Sequence, residues 1–281
     1  MKEKVFLSLR EIQLAEYEIL TKLVRYFEQN NIHYVLCGGT LLGAVRHNGF
    51  IPWDDDIDIF VPREDFERLK VLYQRERDSL EGIRLLIPGE KGYPYPFIKA
   101  QNEELAVIDE KRDEKYQGYV WADVFSLDHF PDNSFLHRLY YLRIHMMTQI
   151  LSFGTLSDTY LKKRGYYSKF DKKIVRLLLK AAYTILGGST KIARRIDRIA
   201  CRMDKKYKIS KHVGNGAWPN GMRDYYLVSD MEPITKHVFE RGEFNIPENY
   251  DSNLTCFYGD YMKIPPVEER ADHCFTAYRV K

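Results

Sequence analysis

Cysteine is scarce in this 281-residue chain, and long apolar runs are missing altogether. Its four cysteines, Cys37, Cys201, Cys256 and Cys274, are far apart and form no CxxC pair. That excludes a zinc knuckle and a disulfide scaffold and fits a reducing compartment. No window approaches the roughly 20 apolar residues that a membrane-crossing helix needs. The amino-terminal stretch MKEKVFLSLREIQLAEYEIL reaches Arg10 and Glu11 before any apolar run develops, so a secretory leader is not expected. A cytoplasmic protein is the expectation. Internal repeats and low-complexity tracts are also lacking. What is present is 44% hydrophobic residues, with 21 Tyr and 15 Phe among 30% charged residues. This supplies enough apolar surface to offset chain entropy, and it describes a globular enzyme or binding protein of one large domain, or one domain with an appendage.

The net charge of +3 conceals an uneven distribution. Residues 161 to 211 hold 17 Lys or Arg against Asp171, Asp197 and Asp204, a local charge of +14, so the remainder carries −11. Such a segment attracts anionic headgroups or polyphosphates, and peripheral contact with the inner face of an anionic membrane is the expectation it raises. The plain alternative is a solvated helical face. Nucleic acid is not expected, because no zinc, RRM or GXXG feature accompanies the basic residues.

Apolar residues at Leu9, Ile12, Ile19, Leu20, Leu23, Val24 and Phe27 predict an amphipathic helix over 8–29, capped by Ser8 with Glu11 at its third position. HYVLC then reads as a strand, followed by Gly38-Gly39 and a short helix, TLLGAVRH. DIDIFVP alternates with a period of two, so Asp56 and Asp58 share one face while Ile57 and Ile59 enter the core. A helix from Arg63 to Leu80 follows. Strands are predicted at Ile83–Ile87, Tyr95–Ala100, Leu105–Ile108 and Gly118–Phe125, the last carrying Asp123. This order describes an α/β (α+β) fold with a mixed sheet and flanking helices, and three regions: a catalytic core over 1–133, a helical basic insertion over 134–211 and an irregular carboxy-terminal segment over 212–281 that completes the active-site region.

Asp56, Asp58 and Asp123 are hard oxygen donors in a compact pattern, suited to Mg²⁺, which is held by a few carboxylates together with substrate phosphates. Asp54 and Asp55 read more simply as turn residues. Gly38, Gly39 and Thr40 lie between strand and helix, where backbone N–H groups meet phosphate, although an ordinary tight turn or helix cap has the same appearance. Arg46 and His47 end the short helix within reach of phosphoryl oxygens, the alternative being helix capping. Lys99 is a lesser phosphate candidate, with solvent exposure as its plain reading. Asp260 and His273 in the tail are lesser still.

The stretch GGTLLGAVRHNGFIPWDDDIDIFVP resembles the LicD/fukutin family, supported by VWADVF around Asp123 and by the tail from Phe239 to Pro266. The resemblance implies a nucleotidyltransferase-like fold. It also implies transfer of a phosphorylated alcohol, such as phosphocholine from CDP-choline, to a sugar hydroxyl of a teichoic acid, lipopolysaccharide or lipid-linked glycan precursor, with release of CMP. Residue by residue, it makes Gly38, Gly39 and Thr40 the phosphate-facing turn, Asp56 and Asp58 the metal pair for one or two Mg²⁺ ions, and Asp123 the third acid, serving as ligand or general base. Tyr93, Tyr95, Tyr116, Tyr119, Trp121 and Trp218 are candidate faces for a quaternary ammonium. The competing expectations are transfer of ribitol, glycerol or ethanolamine phosphate, transfer of a nucleotide, or a non-catalytic anion- or membrane-binding module.

Overall fold

The structure is a computed structural model that describes residues 4–76, 80–270 and 275–280. A short strand, β1 (Lys4–Phe6), precedes helix α1 (Leu9–Gln29). The Ser8 hydroxyl accepts from the Glu11 N–H and the Glu11 carboxylate accepts from the Ser8 N–H, the reciprocal capping the sequence predicts. Strand β2 is only Val35–Leu36, and α2 spans Gly38–His47, so the two glycines form the first helical turn instead of a separate loop. β3 covers Asp58–Pro62 and α3 Arg63–Arg75, shorter than expected. β4 is Ile83–Leu86. The two strands expected between Tyr95 and Ile108 are one, β5 (Ile98–Asp109), whose register shifts between Asn102 and Ala106. β6 (Tyr119–Phe130) follows.

Helices α4 (Ser134–Gly154), α5 (Asp158–Lys163), α6 (Phe170–Ile185) and α7 (Gly188–Lys206) fill the basic region. The tail is more regular than its composition suggests. It contains β7 (His212–Asn215), β8 (Tyr226–Leu227), α8 (Val228–Met231), β9 (Ile234–Phe239), β10 (Gly242–Pro247), α9 (Tyr250–Tyr258) and β11 (Phe275–Val280).

Among the described residues these strands build one nine-stranded mixed sheet and a separate β9–β10 hairpin. The main sheet runs β1-β11-β5-β6-β3-β2, with β4 on β5 and β7–β8 on β6. β3 and β6 are parallel and the other pairs antiparallel. The buried stripe of α1, including Ile19, Leu20, Leu23 and Phe27, joins Ile57, Ile59, Val61, Val120 and Val124 in the main core. A second cluster forms where Ile144 and Leu151 of α4 meet Ile192, Ile196 and Ala200 of α7. Between these cores lies a buried ionic knot. Arg63 Nε donates to Asp128 Oδ1 at 2.5 Å and Arg63 Nη1 to Asp197 Oδ1 at 2.7 Å, tying α3 to β6 and α7. Cys37, Cys201 and Cys256 form no disulfide, and Cys274 lies outside the described residues. Among the described residues no helix is long and apolar enough to cross a membrane.

Candidate active site

The parallel pairing of β3 with β6 sets Asp58 directly opposite Asp123. Cross-strand partners share a face, so two carboxylates from distant parts of the sequence project side by side. Asp56 lies just before β3, in an irregular stretch secured where the Ile57 carbonyl accepts from the Asp123 N–H at 2.7 Å. A cleft of about 430 Å³ opens over this edge, its walls including Gly39, Arg46, Asp54, Asp56 and Asp58. The tail closes the opposite side with Tyr258, Asp260, Lys263 and Arg270.

The first turn of α2 abuts the acids. At Gly38, whose φ is +54°, a Cβ would stand 2.9 Å from Asp58 Oδ2, and at Gly39 it would stand 2.6 Å from Asp54 Oδ2. Only glycine lets the helix start this close to both carboxylates. Cys37 at the N-cap supplies no side-chain acceptor, and the first-turn N–H groups of a helix have no acceptor within it. Thr40 is buried; its hydroxyl oxygen accepts from the Asp58 N–H at 2.8 Å, so its visible part is to brace β3.

Charge is concentrated here at a cost. Burial first, then the neighbouring charges of Asp56, Asp123 and Asp54, push the Asp58 carboxyl well above the usual range, against the pull of Lys99. Lys99 is buried, contrary to its solvent-exposed reading, and its Nζ lies 3.0 Å from Asp123 Oδ1. The same ammonium sits 3.7 Å from the Trp121 ring centroid and 5.0 Å from that of Tyr95, so two of the candidate aromatic faces already hold a cation. Trp218 packs against Tyr95 and Phe97.

Arg46 lines the cleft and donates from Nη1 to the Tyr261 carbonyl at 2.6 Å, holding the tail against α2. His47 accepts from Arg46 Nε at 3.0 Å and packs edge-on to Trp53, off the cleft wall. Burial lowers the pKa of both, and the positive charge of Arg46 lowers that of His47 further. His273 lies outside the described residues.

Sequence reasoning passed over three contributors. Arg270 stacks 4.0 Å above the Trp53 ring and, with Lys263, adds cationic lining from the tail; Lys263 falls within the Phe239–Pro266 stretch without a role read for it, and no local motif marks Arg270. Glu16 was legible: it stands four residues after Ile12 and three before Ile19, on the apolar face of α1. It is fully buried, and among the described residues neither carboxylate oxygen has a hydrogen-bond partner. Burial and the charges of Asp56, Asp55, Asp54 and Asp123 push its pKa well above the usual range. One turn earlier, Gln13 Nε2 donates to the Asp54 carbonyl at 2.8 Å, so α1 also supports the acidic stretch.

Among the described residues no three Asp, Glu, His or Cys side chains close around one point as a preformed metal cage. The donors still fit Mg²⁺, which takes one or two carboxylates and completes its octahedron with phosphates and water. A divalent cation there would offset the carboxylate repulsion that adds to burial in raising Asp58.

A mixed sheet that presents paired acids beside a glycine-started helix defines the nucleotidyltransferase-like class of domain. The family model for the LicD/FKTN/FKRP nucleotidyltransferase domain matches residues 31–176, and the chain belongs to that family. It is 27% identical over 275 residues to the lipopolysaccharide cholinephosphotransferase LicD of Haemophilus influenzae, covering 95% of this chain and 96% of that protein. It is also 35% identical over 82 residues to the ribitol 5-phosphate transferase FKRP of Homo sapiens, covering 29% of this chain and 16% of FKRP. An uncharacterized protein of Rickettsia prowazekii is 29% identical over 170 residues, 60% of this chain and 57% of its own.

Proposed function

We propose that this protein transfers phosphocholine from CDP-choline to a sugar hydroxyl of a teichoic acid, lipopolysaccharide or related cell-surface glycan precursor, releasing CMP. The observation that carries the reading is the cleft that gathers Asp56 and Asp58 beside Gly39 at the start of α2, with Asp123 in register with Asp58 on the neighbouring strand. Similarity over nearly the whole length to a lipopolysaccharide cholinephosphotransferase supports phosphocholine as the transferred group. The shorter match to a ribitol 5-phosphate transferase supports the broader class of phospho-alcohol transfer.

In this reading Asp56 and Asp58 would hold Mg²⁺, one or two ions, which would supply positive charge to the donor diphosphate and to departing CMP. N–H groups of Gly38 and Gly39 face the phosphates at the positive end of α2. Arg46, Lys263 and Arg270 balance the remaining negative charge from the cleft walls. The acceptor hydroxyl attacks the choline-side phosphorus in line; a new P–O bond forms to the sugar, and the bond to the bridging oxygen breaks as CMP leaves. Asp123 is the third acid, oriented by Lys99. Asp123→Asn separates its two roles: lost metal affinity marks a ligand, whereas retained metal with lost transfer marks the base that takes the hydroxyl proton.

Mass-resolved transfer tests the reading, using CDP-choline, CDP-ethanolamine, CDP-ribitol and CDP-glycerol with candidate glycans, with and without Mg²⁺. The expected result is Mg²⁺-dependent release of CMP with a phosphocholine-sized gain on the glycan. A gain the size of a nucleotide would make the protein a true nucleotidyltransferase, and no turnover of any donor would reject the assignment.

A further inference from the structure

Helix α6 presents its apolar side to solvent. Phe170, Ile174, Leu177, Leu178 and Ile185 follow the spacing of one helical face, yet they are 78, 44, 59, 65 and 84% exposed. None of the residues of α6 is buried. Its inward side is mixed: Tyr183 packs against the cluster between α4 and α7, while Arg176 sits 4.3 Å from the Tyr167 ring centroid and Lys172 Nζ donates to the Arg164 carbonyl at 2.8 Å. An ordinary surface helix turns its main apolar stripe toward the core. α4, which packs against α6, repeats the pattern with Phe135, Leu139, Leu142 and Met146 at 67, 48, 46 and 61% exposure, while Ile144 and Leu151 on its other side are buried.

We propose that the outward faces of α6 and α4 dock on an anionic lipid bilayer, with α6 lying in the interface and its apolar stripe among the acyl chains. Exposed apolar stripes on two helices that pack against each other exceed what a soluble surface leaves uncovered without a binding role. Neither helix is long and apolar enough to cross the membrane, which leaves the interfacial arrangement for a strongly two-sided helix. Charge selects the partner. Exposed Lys169, Lys173 and Lys180 accompany the α6 stripe, within the 161–211 segment whose local charge is +14. A second copy joined through the same face would set that segment against its own like charge, whereas anionic headgroups complement it.

Flotation of the full chain with vesicles separates the possibilities. The protein is expected to bind vesicles of phosphatidylcholine mixed with phosphatidylglycerol, and to bind pure phosphatidylcholine much more weakly. Leu177→Ser with Leu178→Ser should lower partitioning at least about tenfold, even at raised salt. Lys173→Gln and Lys180→Gln should each lower it roughly fivefold at low salt. All four side chains are exposed, so an unchanged melting temperature verifies the fold of each variant. As a readout by gain of signal, Leu178→Trp should shift its emission to the blue when anionic vesicles are added. Absence of wild-type binding to anionic vesicles would overturn the proposal, as would unchanged partitioning of the double serine variant. So would conversion of a lipid-free dimer to monomer by that variant without any vesicle binding, which would make the face a contact between copies.

Discussion

Glu16 and Asp58 are carboxyls placed where ionisation is unfavourable, and this fixes the sign of a pH effect. Each has its folded pKa raised, as does Asp224, pushed up to about 6 by burial. A group with a raised folded pKa binds more protons folded than unfolded, so its contribution is fully present below the ordinary carboxylate range near 4 and lost as pH rises through the folded value. Asp58→Asn removes that loss. In the metal-free protein it should leave the melting temperature nearly unchanged at acid pH and raise it relative to wild type at neutral pH and above, a difference that a thermal-melt series across pH measures. Mg²⁺ should raise the wild-type melting temperature at neutral pH and fail to raise that of Asp58→Asn. The same variant should reduce transfer at least about 100-fold, read by CMP release. Gly38→Ala should cost about 1 kcal/mol or more in denaturant unfolding, because its φ of +54° disfavours any side chain and its Cβ would push on Asp58.

At the scale of elements, the knot of Arg63 on α3, Asp128 on β6 and Asp197 on α7 fastens the basic helices to the sheet. Asp128 is fully buried and also accepts from the Ser126 hydroxyl at 2.8 Å and the Gly216 N–H at 3.1 Å. Arg63→Ala leaves those acids buried without their counter-charge and should destabilise the protein by about 3–5 kcal/mol in chemical denaturation. The elements differ in how far the sequence announces them. α1 was legible because its apolar period and the Ser8–Glu11 pair are local, and the alternation of β3 placed Asp58 opposite the core-facing isoleucines. Arg63 has partners 65 and 134 residues away, which no local pattern reveals. Strands β7, β8 and β11 were missed for a related reason: they are two to six residues long, and β7 and β11 are defined by pairing with distant β6 and β5. The period of α6 was readable, but the direction of its apolar face was not, since a helix pattern does not say which side the rest of the fold will cover.

Across the whole molecule, the structure separates two kinds of surface. Acids from β3 and from the stretch before it gather under a cleft rimmed by tail cations, while helices α4 and α6 expose apolar stripes in the most basic part of the chain. Of the cleft, the carboxylate floor and the α2 start were visible in the sequence because they occupy one short stretch, Gly38 to Asp58. Of the tail, the sequence offered the 212–281 segment and Asp260 as neighbours of the site and held Tyr258 and Lys263 within the Phe239–Pro266 resemblance without giving them a role, whereas Arg270 carries no such mark. The central claim is that clustered carboxylates bind a nucleotide diphosphate through a divalent cation. Calorimetric titration of the wild-type protein with CDP-choline, with and without Mg²⁺, tests it most directly. Affinity should rise at least about tenfold with the metal, a gain of about 1.4 kcal/mol or more, and the gain should vanish in Asp58→Asn. Binding of equal strength in both conditions, or a gain that survives Asp58→Asn, would contradict the account.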